Sequence, residues 1–158
     1  DRLIPNNFID ILNILESQSM RGKPPDIISF PLLRSFQSRR NLKLEKPSKI
    51  KLLFKNTIPH NSTFISSSLK KIKGGNLYSL KYRIASDYHF FLFGLLSKDI
   101  KIVTCPSSKP ITIHSSEGTS SNILQSVTDV INIQKEMLGY SFYKYIRLIK
   151  ELRKGPSK

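Results

Sequence analysis

Alanine, normally among the commonest residues, occurs once in this chain of 158 residues, at Ala85, whereas Ser occurs 22 times, Ile 20 and Lys 18. Lys, Ile, Asn, Phe and Tyr have AT-rich codons and Ala, Gly and Pro have GC-rich ones. The skew therefore points to an AT-rich coding sequence and carries no chemistry. Cysteine is equally scarce. A lone Cys105 excludes an internal disulfide framework and any cysteine-based zinc site, and it favours a reducing, intracellular compartment. Long apolar runs are missing too. The longest, Phe90 to Leu96, is far short of the ~20 residues that span a bilayer. No secretory signal is present, because Leu3 to Leu15 is interrupted by Asn6, Asn7, Asp10 and Asn13. The chain begins at Asp1 without Met, and a removed leader or a missing portion is the expectation.

Acidic residues are few: 11 Asp plus Glu stand against 26 Lys plus Arg, for a net charge of +15 and an isoelectric point near 10.1. They are also scattered, with no paired carboxylates for general acid–base work or Mg²⁺. His60, His89 and His114 lack metal-ligand spacing, and structural roles are expected for them. A nucleophilic pair of Cys105 with His89 or His114 has no local signature behind it. Lys70-Lys71-Ile72-Lys73-Gly74-Gly75-Asn76 is a basic turn, but the nucleotide-binding Gly-x-x-x-x-Gly-Lys-Ser/Thr pattern is absent. The expectation is a protein that is not an enzyme, with no cofactor, no metal and no small-molecule substrate.

With 39% hydrophobic and 9% aromatic residues the chain should fold, and its length suits one domain over residues 1–158. Residues 5–19 read as a helix, since Pro5 suits a first turn and Phe8, Ile11, Leu12 and Leu15 recur at helical spacing. Residues 21–48 break that period with Pro24, Pro25, Pro31 and Pro47 and read as an extended basic arm. Period two follows. A strand is expected from Lys49 to Phe54, and a hairpin from Asn76 to Ile84 and Tyr88 to Phe93, with Tyr78, Leu80, Tyr82 and Ile84 on one face. Ile100 to Thr104 and Ile111 to Ile113 are two short strands. The Ser-rich 115–121 stretch offers N-cap oxygens to a helix carrying Ile123, Val127, Val130, Ile131 and Leu138. Beyond Gly139, Phe142, Tyr145, Ile146, Ile149 and Leu152 continue a second helical stripe. The expected fold is α+β: a small antiparallel or mixed sheet of four to five strands, covered by an N-terminal helix and a long C-terminal helix, with the arm attached.

The charge is concentrated in two places. Arg34, Arg39, Arg40, Lys43, Lys46, Lys49, Lys51, Lys55, Lys70, Lys71, Lys73, Lys81 and Arg83 share their stretch with a single acid, Glu45, for a net +12. The terminal segment holds Lys144, Arg147, Lys150, Arg153, Lys154 and Lys158 against Glu151, a net +5. Such self-repulsion is relieved by an anionic partner, and nucleic acid is the obvious one because neutralised phosphates release counterions. A solvated basic face is the plainer alternative, yet solubility is satisfied by a net charge of roughly 2 to 8. Signatures of DNA-reading modules and of the common RNA modules are both absent. A basic arm on a small α+β body suits backbone contacts to folded RNA, the general character of ribosomal proteins. RNA contact is expected through Arg34 to Arg83 and through Lys144, Arg147, Lys150 and Lys154. Tyr78 and Tyr82 read as core residues rather than as a stacking platform.

The expected function is thus a structural RNA-binding subunit of a large ribonucleoprotein, most plausibly a ribosome and in particular a mitochondrial one, contacting rRNA and neighbouring ribosomal proteins. A non-catalytic protein-interaction subunit of a DNA-associated or chromatin complex is the second reading, with Ile27 to Leu33 and Phe142 to Leu152 as docking surfaces. Attachment of the terminal helix to an anionic membrane surface ranks third.

Overall fold

The computed structural model describes residues 2–20, 22, 24–36, 39–72, 76–82, 84–105, 109–115, 123–139 and 141. It has mixed α and β content, with two small mixed sheets in place of the single sheet expected. The expected N-terminal helix is α1, Pro5–Met20, preceded by the short strand β1, Arg2–Leu3. The segment expected as an arm instead supplies β2 (Ile27–Ser29), β3 (Leu32–Phe36) and β4 (Arg39–Glu45). Its prolines hid these short strands, of which β3 and β4 pair with each other while β2 pairs only with strands far along the chain. All three residues of β2 are buried, as are Phe30, Pro31 and Leu32.

The smaller sheet has the order β5-β2-β6, where β5 is Thr63–Ile65 and β6 is Ile102–Thr104. β2 runs antiparallel to β5 and parallel to β6, with Ile27 opposite both Ile65 and Ile102. The larger sheet has the order β1-β7-β3-β4, where β7 is Thr112–Ser115, close to the strand expected at Ile111 to Ile113. β3 pairs in parallel with β7 and forms a hairpin with β4. Backbone bonds from Cys105 N to Ser29 O (2.8 Å) and from Ile111 N to Pro31 O (3.0 Å) carry the parallel pairing across the bend between the sheets.

Two expected strands are helices. Lys49 to Phe54 forms the single turn α2 (Lys49–Leu52), capped by Ser48. Tyr88 to Phe93 lies in α4 (Ser86–Leu96), after the short α3 (Leu69–Ile72). A run that is apolar on every side suits a buried helix as well as a central strand, and here the helix wins. Tyr88, Phe90, Phe91, Leu92 and Gly94 are all buried. No strand occupies the described residues of 76–84. Leu80 is 90% exposed while Tyr82 is 2% exposed, so the two do not share the expected face. Tyr78 and Tyr82 do join the core.

The smaller sheet lies between helices. α1 packs Ile11, Ile14 and Leu15 against Ile28, Phe30, Val103 and Cys105 on one side. On the other side α4 packs against Ile27, Ile65 and Ile102. Gly94 permits this approach: a Cβ there would stand 3.2 Å from Cδ1 of both Ile27 and Ile102. α5, Ile123–Leu138, closes over α4 and ends at Gly139, whose φ of +72° suits a helix C-terminus. The expected terminal helix beyond Ser141 lies outside the described residues.

Candidate nucleic-acid interface

α2 fixes the position of the basic residues that follow β4. Burial of Leu52 anchors this turn in the core and leaves Lys49 and Lys51 exposed, as are Lys46 and Lys55 on either side. Thr57 Oγ1 donates to Ser48 O at 2.7 Å, closing the segment on itself. Four lysines are thus held within one compact turn and its flanks. Lys49 Nζ also donates to Ile102 O (3.3 Å) on the open edge of β6, one residue from the exposed Lys101. Such an edge lysine discourages pairing with a foreign strand.

The carboxylates are turned to other tasks. Of the seven whose side chains are described, five are engaged internally. Asp26 is buried and accepts from Lys101 N at 2.9 Å. Asp129, 4% exposed, accepts from Ile84 N (3.2 Å), Ala85 N (3.4 Å) and Gln125 Nε2 (2.7 Å). Ala85 sits at the N-cap of α4 with no side-chain oxygen to offer, and Asp129 of α5 fixes the chain at its entry into that helix through the two amides. Asp87 accepts from Tyr88 N (2.7 Å) and Asn56 Nδ2 (2.8 Å), while burial pushes its carboxyl above the usual range. Glu45 pairs with Arg34 at 3.0 Å. Glu136 takes both Lys81 and the Tyr82 hydroxyl, which hold its carboxyl below the ordinary value. Glu16 and Asp99, the other two of these seven, are exposed. Asp26, Asp87 and Asp129 are thus spent on amides of the chain itself, while Glu45 and Glu136 each neutralise one cation.

Beside the lysine segment lies a cleft of about 400 Å³ between β3, β4 and β7, the 56–61 loop and the first turn of α4. Arg34 stands next to His114 in the parallel register. Asn61 Nδ2 meets His114 Nδ1 at 2.9 Å, and burial, followed by the Arg34 charge, holds the His114 pKa below the histidine norm. The imidazole is thereby biased toward its neutral form. His60 Nε2 and Tyr78 OH are 2.8 Å apart at the mouth, with their rings edge to face at 5.6 Å. Arg34 Nε is buried and has no acceptor among the described residues. No group of three or more His, Cys, Asp or Glu is placed to hold a metal ion among the described residues.

Among the residues expected to touch RNA, Lys46, Lys49, Lys51 and Lys55 are thus brought together, and Lys70 is exposed on α3. Arg34 and Lys81 are instead committed to Glu45 and Glu136. Arg39, Arg40, Lys43 and Lys71 have backbones in β4 and α3, but their side chains lie outside the described residues, as do Lys73, Arg83, Lys144, Arg147, Lys150 and Lys154 entirely. Lys101 is exposed beside Ile102 although it lies far from the charge cluster in sequence. Asn56, Asn61 and Asp87 carry no motif, and only the fold brings them to the cleft. No helix among the described residues is long and apolar enough to cross a membrane. Comparison with protein-family models, with curated proteins and with solved structures finds no match in any of the three.

Proposed function

We propose that the chain is a non-catalytic RNA-binding subunit of a large ribonucleoprotein, with a ribosome as the first candidate. The observation that carries this reading is the segregation of charge. Exposed lysines gather on the turn after β4, while most of the described carboxylates are spent on backbone amides and internal ion pairs. A surface arranged this way draws in a polyanion and positions it through phosphates, without reading sequence. The partly exposed Leu42 and Leu44 alternate on one face of β4 and suit contact with a neighbouring protein of the same particle.

Copurification of the tagged chain, sized before and after ribonuclease treatment, tests the proposal. Migration with a large particle that collapses on ribonuclease treatment is the expected result. A complex of unchanged size, holding one stable protein partner, would move the assignment to a protein-interaction subunit.

A further inference from the structure

We propose that the cleft beside the lysine turn accepts one unstacked base of a single-stranded RNA, an inference that rests on the RNA-binding reading above. Charge decides the ligand class first. Arg34 is matched by Glu45, Asp87 adds a second carboxylate, and burial biases His114 toward neutrality. The cleft therefore has no net positive charge and is poorly suited to a phosphate. It suits a neutral ring with donors and acceptors along its edge.

The lining fits such a ring. Leu32, Ile58 and Pro59 provide apolar wall, while Asn56 and Asn61 place amide groups of the type that recognises base edges. A volume of about 400 Å³ lies within the roughly 300–1,000 Å³ typical of small-ligand pockets. At the mouth, the exposed His60 ring is oriented by its contact with Tyr78 and offers a face for stacking.

The lysines complete the arrangement. Lys46 and Lys55 are exposed and adjoin in sequence the lining residues Glu45 and Asn56, which keeps cations near the cleft although neither lysine lines it. An RNA backbone held by these side chains passes within reach of the cleft. Phosphates would supply the affinity, and the one inserted base would supply a preference that lysines alone do not confer.

Anisotropy titrations of short rA, rC and rU homopolymers at one salt concentration test the inference. The wild-type chain should discriminate between best and worst by about 10-fold, a factor in the range of one base–aromatic stack with edge contacts. His60→Ala and Asn61→Ala should each erase most of that preference, while His60→Phe, which restores a stacking face, should retain a good part of it. All three should keep the salt dependence of the wild type and its circular dichroism spectrum. Equal affinity for the three homopolymers, or a preference that survives both alanine substitutions, would overturn the base pocket while leaving salt-dependent RNA binding standing. Absence of salt-dependent binding to any of them would overturn the underlying reading and the pocket together.

Discussion

Replacing Asp129 by Ala should be among the most damaging single changes in the helical layer. The carboxylate is 4% exposed and joins α5 to the start of α4 through the Ile84 and Ala85 amides, with Gln125 as a third donor. Leaving a buried amide donor unsatisfied costs roughly 1–3 kcal/mol. The two amide bonds are long, at 3.2 and 3.4 Å, which argues for the lower part of that range. A total near ~2 kcal/mol for the two amides follows, or a fall of about 4–8 °C in Tm at this chain length. Asp129→Asn keeps one acceptor oxygen and should lose about half as much. Thermal melts at 222 nm measure both, and amide exchange at Ile84 and Ala85 should accelerate in step. A D129A protein melting within about 2 °C of wild type would refute the view that Asp129 ties α5 to the start of α4.

Other consequences follow from packing and from titration. Gly94→Val should lower stability by roughly 1–3 kcal/mol through overpacking, because its Cβ alone would stand 3.2 Å from Ile27 and Ile102 Cδ1. Gly94→Ala should stay near neutral, its helix-propensity gain of about 1 kcal/mol offsetting the closer contact. Urea unfolding of the pair measures both, and a G94V as stable as wild type would mean that α4 is not seated on the smaller sheet. His114 titrates below the ordinary histidine value of about 6.5 in the folded chain, so the unfolded chain binds more protons in that range. Its contribution to stability is therefore fully present above pH ~6.5 and declines as pH falls toward the lowered value. His114→Gln should flatten the loss of Tm between pH 7.5 and pH 5, an approximate window around that value, and an undiminished loss would assign it to other groups.

Elements with local signals were legible in the sequence. α1 announces itself by Pro5 and an apolar stripe, and α5 by a stripe that ends at Gly139. β6 and β7 fall close to their expected places. α4 was misjudged because Phe90 to Phe93 is apolar all round, leaving no period to separate helix from strand. β2 was obscured by its three-residue length between proline-marked segments, and it is stabilised by β6, some 75 residues away along the chain, as the Lys101–Asp26 bond illustrates. The lysine turn was visible as charge density. The cleft was not, because Arg34, Glu45, Asn61, Asp87 and His114 meet only after the two sheets and α4 have formed.

If the lysine turn binds RNA through phosphates, the affinity for a single-stranded RNA depends on salt. The logarithm of the binding constant should fall steeply and linearly with the logarithm of salt concentration, by about 0.7 for each phosphate neutralised. Replacing Lys46, Lys51 and Lys55 together by Ala should reduce that slope by roughly 2. An affinity indifferent to salt, or a slope unchanged by the triple substitution, would mean that these lysines do not hold RNA phosphates.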